Sequence, residues 1–123
     1  MISTKALCCF TAKCPPSTAL GREKHIQQEY DLFCKEKENG KQFISRVKEI
    51  LDDQEYYFIE NDFPYYVEDN ITHMICWYKN GTVDSIVKKI KKNNKIVTYW
   101  ENLPQNKSIR EISHIHIFIN KLK

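Results

Sequence analysis

The apolar positions change period along the chain, and the changes mark its elements. From His25 to Glu38, Ile26, Tyr30, Phe33 and Cys34 recur at helical spacing, and Asn39-Gly40 predicts the stop. A second stripe runs from Lys41 to Asp53 through Phe43, Ile44, Val47, Ile50 and Leu51. Each of these helices has one apolar face, so each must lie against another element. Residues 54–60 read as a strand, because Tyr56, Tyr57, Phe58 and Ile59 are all good β-formers. Pro64 breaks a loop running from Asn61 to Tyr66, and His73 to Tyr78 predicts the next strand. Asn80-Gly81 turns the chain, and Thr82 can cap a helix over 83–92. That helix sets Val83, Ile86, Val87 and Ile90 against Lys88, Lys89, Lys91 and Lys92. A strand from Lys95 to Glu101 follows, then a loop from Leu103 to Asn106. Ser108-Ile109-Arg110-Glu111 has capping-box spacing and predicts one helical turn. Residues 114–119 alternate strictly, as a strand does.

The resulting order is helix, helix, strand, strand, helix, strand, strand. It predicts an α+β fold, with a mostly antiparallel sheet of about four strands and helices packed on one face. Residues 1–22 show neither period, so the reading is a flexible or loosely packed N-terminal arm (1–22) followed by a single α+β domain (23–123). Within that arm, Cys8, Cys9 and Cys14 lack the paired C-x2-C spacing of a zinc site.

Composition narrows the class. The 123 residues are 41% hydrophobic, 28% charged and 12% aromatic, which places the chain among folded domains. Five cysteines at irregular spacing do not describe a disulfide framework, and a reducing, cytoplasmic location is the simpler expectation. No apolar run approaches the ~20 residues of a membrane span, so no membrane is expected. A net charge of +3 permits an anionic ligand and disfavours nucleic acid, which usually calls for a strongly basic face.

The candidate chemistry comes from strand alternation. Ile115, Ile117 and Ile119 must point to one side of the last strand, and His114, His116 and Phe118 to the other. The isoleucine side is the natural partner for the helices, which leaves the histidine side as an open face or the floor of a cleft. In the strand at 73–78, His73, Ile75 and Trp77 share a face. If the two strands are neighbours, His73, Trp77, His114 and His116 converge. Trp100 and Asn102 border the same region, and Arg110 closes one rim.

Imidazoles near their ordinary pKa of ~6.5 move protons at neutral pH, and three of them can bind a metal. Together with an Arg they can hold a phosphate, and a Trp offers a surface on which a sugar or base stacks. Against this stands a plain alternative, because strand histidines and tryptophans are commonly structural. The acids Glu60, Asp62, Glu68 and Asp69 read as solvated loop residues, and the lysines at 88–92 as a solvated helix face. The chain carries no Gly-rich phosphate loop, G-x-S-x-G or H-E-x-x-H motif.

Asn61-Asp62-Phe63-Pro64-Tyr65, Ile71-Thr72-His73 ahead of Trp77, Ser108-Ile109-Arg110 and His114-Ile115-His116 follow one another in a recognisable order. In this the chain resembles the N-acetylglucosamine-induced protein family best known from fungi, a domain family of unknown function, over roughly residues 54–120. Tyr66 stands where that family usually has Gly. The resemblance singles out Asn61, Asp62, Tyr65, His73, His114 and His116. The expected function is a small-molecule site for a phosphorylated sugar or nucleotide, hydrolase or phosphodiesterase-like. His73, His114 and His116 would carry the chemistry. Trp77, Trp100, Asn102, Arg110, Asn61, Asp62 and Tyr65 would bind the ligand, with no metal or cofactor assigned. The alternative is a non-enzymatic interaction module that binds a protein or nucleic acid through the sheet face or the lysine helix.

Overall fold

The computed structural model describes residues 1–18, 20–103 and 112–121. Its helices are α1 (Thr4–Leu7), α2 (Lys24–Lys35), α3 (Lys37–Asp53) and α4 (Val83–Lys91). Its strands are β1 (Tyr56–Glu60), β2 (Ile71–Tyr78), β3 (Ile96–Trp100) and β4 (Ser113–Asn120). They form one antiparallel sheet in the order β1-β2-β4-β3, the α+β architecture that the alternating periods predict. The helical turn expected at 108–111, and Arg110 with it, lies outside the described residues.

The central pairing is β2 with β4. It sets Trp77 opposite His114, Ile75 opposite His116 and His73 opposite Phe118. One face of the sheet therefore carries His73, Ile75, Trp77, His114, His116 and Phe118, and the other carries Cys76, Ile115 and Ile117. On the isoleucine face, Ile115 and Ile117 are fully buried against Ile86, Val87 and Ile90 of α4. Burial of this extent stabilises by about 1.5–3 kcal/mol for each side chain. Thr82 starts α4 with a capping box shared with Ser85, and Gly81 makes the preceding turn at a φ of 98°.

The helices do not share one face, contrary to the expectation from sequence. α3 lies on the histidine side, where Val47 and Leu51 pack with Ile75, Trp77 and Ile112. The reason is visible in β1 and β2. Tyr57, Ile59, Ile75 and Trp77 present a second apolar surface opposite the isoleucines, and strands that are apolar on both sides need cover on both.

The boundary between α2 and α3 also differs from expectation. Glu36 takes an extended conformation and separates the two helices, while Asn39 and Gly40 lie inside α3. Asn39 still serves the end of α2, because its side-chain amide donates to the carbonyl of Phe33.

The N-terminal segment, expected to be loose, is docked. Ile2 forms a parallel bridge with Val67, and Thr98 donates its hydroxyl hydrogen to the carbonyl of Phe10. Leu7 is fully buried in a cluster with Tyr65, Ile71, Trp100 and Phe118. Four residues of α1 are too few to show a period, so sequence pattern could not reveal this contact.

Candidate functional site

Pairing of β2 with β4 brings the histidines together as expected. The rings of His73 and His116 lie 5.0 Å apart, and those of His114 and His116 5.7 Å apart. They are less accessible than expected, with only 2% of His73 and 4% each of His114 and His116 exposed. Tyr65 stacks over His73 and His116 at 4.5 and 5.6 Å. This Tyr reaches the site because Asn61 ties the loop down: its side chain accepts from the backbone N–H of Phe63, and its own backbone N–H donates to the carbonyl of His73.

The hydrogen bonds fix the tautomers. Tyr65 donates its backbone N–H to His73 Nδ1 at 3.0 Å, so Nδ1 must carry a lone pair. In the neutral ring the proton then sits on Nε2, which faces His116 Nδ1 at 2.8 Å and donates to it. His116 in turn must hold its own proton on Nε2. Among the described residues that buried Nε2 has no hydrogen-bond partner, and neither has the buried indole Nε1 of Trp77.

Burial keeps both rings neutral. Desolvation, helped by the charges of His114 and Arg22, pushes His116 down to about 3. Desolvation, then His116 and Arg22, holds His73 well below its ordinary value. The expectation of imidazoles titrating near pH 6.5 therefore fails for these two, which act near neutrality as fixed hydrogen-bonding groups. His114 differs. Its Nδ1 donates to the carbonyl of Ile112 at 3.3 Å, so in its neutral form the lone pair is on Nε2. Burial also raises the Tyr65 hydroxyl above its ordinary value, opposed by Arg22 and a hydrogen bond with Asn102.

A cavity of about 1090 Å³ lies between α2, α3 and this face. Trp77, His114, His116, Tyr65, Asn61, Asp62 and Asn102 all line it. His73 does not: it stands behind His116 and orients it. Trp100 is a core residue, fully buried against Phe10 and Phe118; its ring lies 6.4 Å from that of His116 and its indole N–H donates to Asn102. Among the described residues no group of three His, Cys, Asp or Glu side chains is placed to hold a metal ion.

The residue that sequence reading missed is Arg22, which it assigned to the arm. Its guanidinium lies 4.2 Å from the ring centre of Tyr30 and 5.0 Å from that of Tyr65, and its Nε donates to the carbonyl of Phe63. No local pattern marks it, because an isolated Arg between Gly21 and Glu23 has no period.

Fold and site together define a small α+β domain with a lined cavity between a helical layer and an antiparallel sheet. The chain belongs to the family described as protein of unknown function (DUF3605), whose model matches residues 20–86. A crystal structure of a protein called HTC1 is similar over 82% of this chain and 76% of that one, at 17% identity and a TM-score of 0.52. At that identity the likeness shows the fold alone. No match was found among curated proteins. Among the described residues no helix is long and apolar enough to cross a membrane.

Proposed function

We propose that the domain binds a small molecule, a phosphorylated sugar or nucleotide, in the cavity over the histidine face. One observation carries the reading: His116 and Trp77 line that cavity, and each carries a buried N–H without a partner among the described residues. A buried donor left unsatisfied costs about 1–3 kcal/mol, which an acceptor atom on a ligand would recover. The resemblance to the N-acetylglucosamine-induced family puts sugars among the first ligands to test.

In this reading His116 donates to a phosphate oxygen and His73 positions it. Trp77, its ring packed against Phe43 and His114, offers its indole N–H to the ligand, and Asn61, Asp62, Tyr65 and Asn102 shape the wall. The reaction it favours is hydrolysis of a phosphoester. A water oxygen bonds to phosphorus and gives its proton to His114, while the ester oxygen leaves and takes a proton from solvent.

The test is a thermal-shift screen with sugar phosphates and nucleotides, followed by an assay of released product. A ligand at a hundred times its Kd should add about 2.7 kcal/mol of stability, a rise of several degrees in Tm. Binding without turnover would keep the site and remove the reaction. No shift with any phosphorylated ligand would remove both, leaving the interaction module.

A further inference from the structure

We propose that Arg22 is the anion anchor of this cavity, and that the ligand is held by an oxyanion group seated edge-on against its guanidinium. The inference rests on the reading of the cavity as a ligand site, and it adds both a residue and a charge requirement.

Geometry argues for it first. A guanidinium carries five N–H donors in one plane. Tyr30 and Tyr65 stack near Arg22, and its Nε–H is taken by the carbonyl of Phe63. The terminal amino groups remain, and among the described residues they have neither a carboxylate nor another acceptor. An Arg clamped in this way has already given up its rotamer freedom, so a carboxylate or phosphate that reaches it loses little entropy on binding.

Charge placement argues for it next. The other charged side chains along the described wall, from Glu36 and Lys37 to Arg46 and Asp62, are exposed and screened by water. Arg22 alone among them is half-buried. It lines the same chamber as His116 and Trp77, residues only 4% and 3% exposed that each carry a buried N–H without a partner among the described residues. The buried donors and the cation all seek an acceptor, and a phosphate or carboxylate oxygen satisfies that set. Tyr30 comes from α2, which buries no residue of its own, so the anchor also links α2 to the occupied site.

The experiment compares matched ligands by calorimetric titration of the full chain: adenosine monophosphate with adenosine, glucose 6-phosphate with glucose, glucuronate as a carboxylate, and inorganic phosphate alone. The wild-type protein should favour the charged member of a pair by about tenfold or more. Arg22→Gln should erase that preference. Arg22→Lys, which keeps the charge but not the fork, should restore only part of it, and it supplies the answer if the Gln variant folds poorly.

Charge preference that persists in both variants would overturn Arg22 as the anchor while leaving the site in place. So would equal affinity of the wild type for charged and uncharged members. Absence of any binding by the wild type would overturn the site and the anchor together. Tighter binding of glucuronate than of the phosphates would sustain the anchor and change the ligand class from phosphate to carboxylate.

Discussion

On one side of the sheet Ile115 and Ile117 meet Ile86, Val87 and Ile90 of α4, and packing alone satisfies them. One residue along the same strand, His114 and His116 face the other way. They are nearly as well buried, yet they carry ring nitrogens that need partners. The isoleucine face is what a core requires. The histidine face is more costly, since a desolvated polar group must recover its hydrogen bonds or lose free energy. Where the bonds are made, from Tyr65 to His73 to His116, the chain of donors has a single sense. Where they stop, they stop at a cavity. Burial by itself thus does not distinguish the two faces; among the described residues, the hydrogen bonding left unfinished at His116 and Trp77 does.

The largest effects should come from the packed face. Ile117→Ala removes a fully buried side chain and should cost about 2–5 kcal/mol by urea denaturation, with ligand affinity unchanged in the molecules that remain folded. A loss below about 1 kcal/mol would break the comparison at its start. Leu7→Ala should cost a similar amount, because Leu7 is equally buried on the histidine side. A neutral result there would return the N-terminal segment to the status of a loose arm.

Acid should sharpen the contrast. In the unfolded chain His73 and His116 take up protons near pH 6.5, whereas in the folded chain His116 does so only at about 3 and His73 well below its ordinary value. Below pH 6.5 the unfolded state therefore binds more protons, and stability falls. The contribution is complete above pH 6.5 and is lost as pH drops towards the folded values. Its slope is at most about 1.4 kcal/mol per pH unit for each ring. Urea midpoints measured from about pH 7.5 down to 4.5 should show this slope, and replacing His116 should reduce it.

Substitutions of His116 should separate its two nitrogens. His116→Ala leaves the His73 N–H unpaired and should cost about 1–3 kcal/mol. His116→Asn retains an acceptor for that bond and should cost about 1 kcal/mol or less, while losing the donor at the cavity and with it the ligand response. Equal stability loss in both variants, with binding kept, would make His116 structural. The smallest effect belongs to α4: Lys88→Gln with Lys92→Gln should stay within about 0.5 kcal/mol and leave ligand binding alone. Loss of binding in that variant would move the interface to the lysine helix.

The legible parts of this molecule were those with a clear period. Strict alternation in β4 set Ile115 and Ile117 apart from His114 and His116, and the Thr82 cap marked α4. The convergence of His73 with His116 follows from strand alternation once β2 and β4 are neighbours. The side that takes α3 was less legible, because β1 has no polar face and alternation has nothing to report there. The break between α2 and α3 is hidden from the sequence, since Asn39 caps through its side chain while its backbone stays helical. Arg22 and Leu7 act through contacts with residues far along the chain, and no local spacing encodes such contacts.

Strand order has a kinetic consequence. β1 and β2 pair across a short loop, but β4 must enter between β2 and β3, joining residues 71–78 to 113–120. Loop-closure entropy is lost before such a long-range pairing returns any energy, so folding should take roughly milliseconds to seconds, the range of domains dominated by distant contacts. Until β4 arrives, β2 and β3 each expose an unpaired edge beside a bare apolar surface, which is the template that neighbouring chains join. Refolding yield should therefore fall as protein concentration rises, and the insertion of β4 should be the step that sets it.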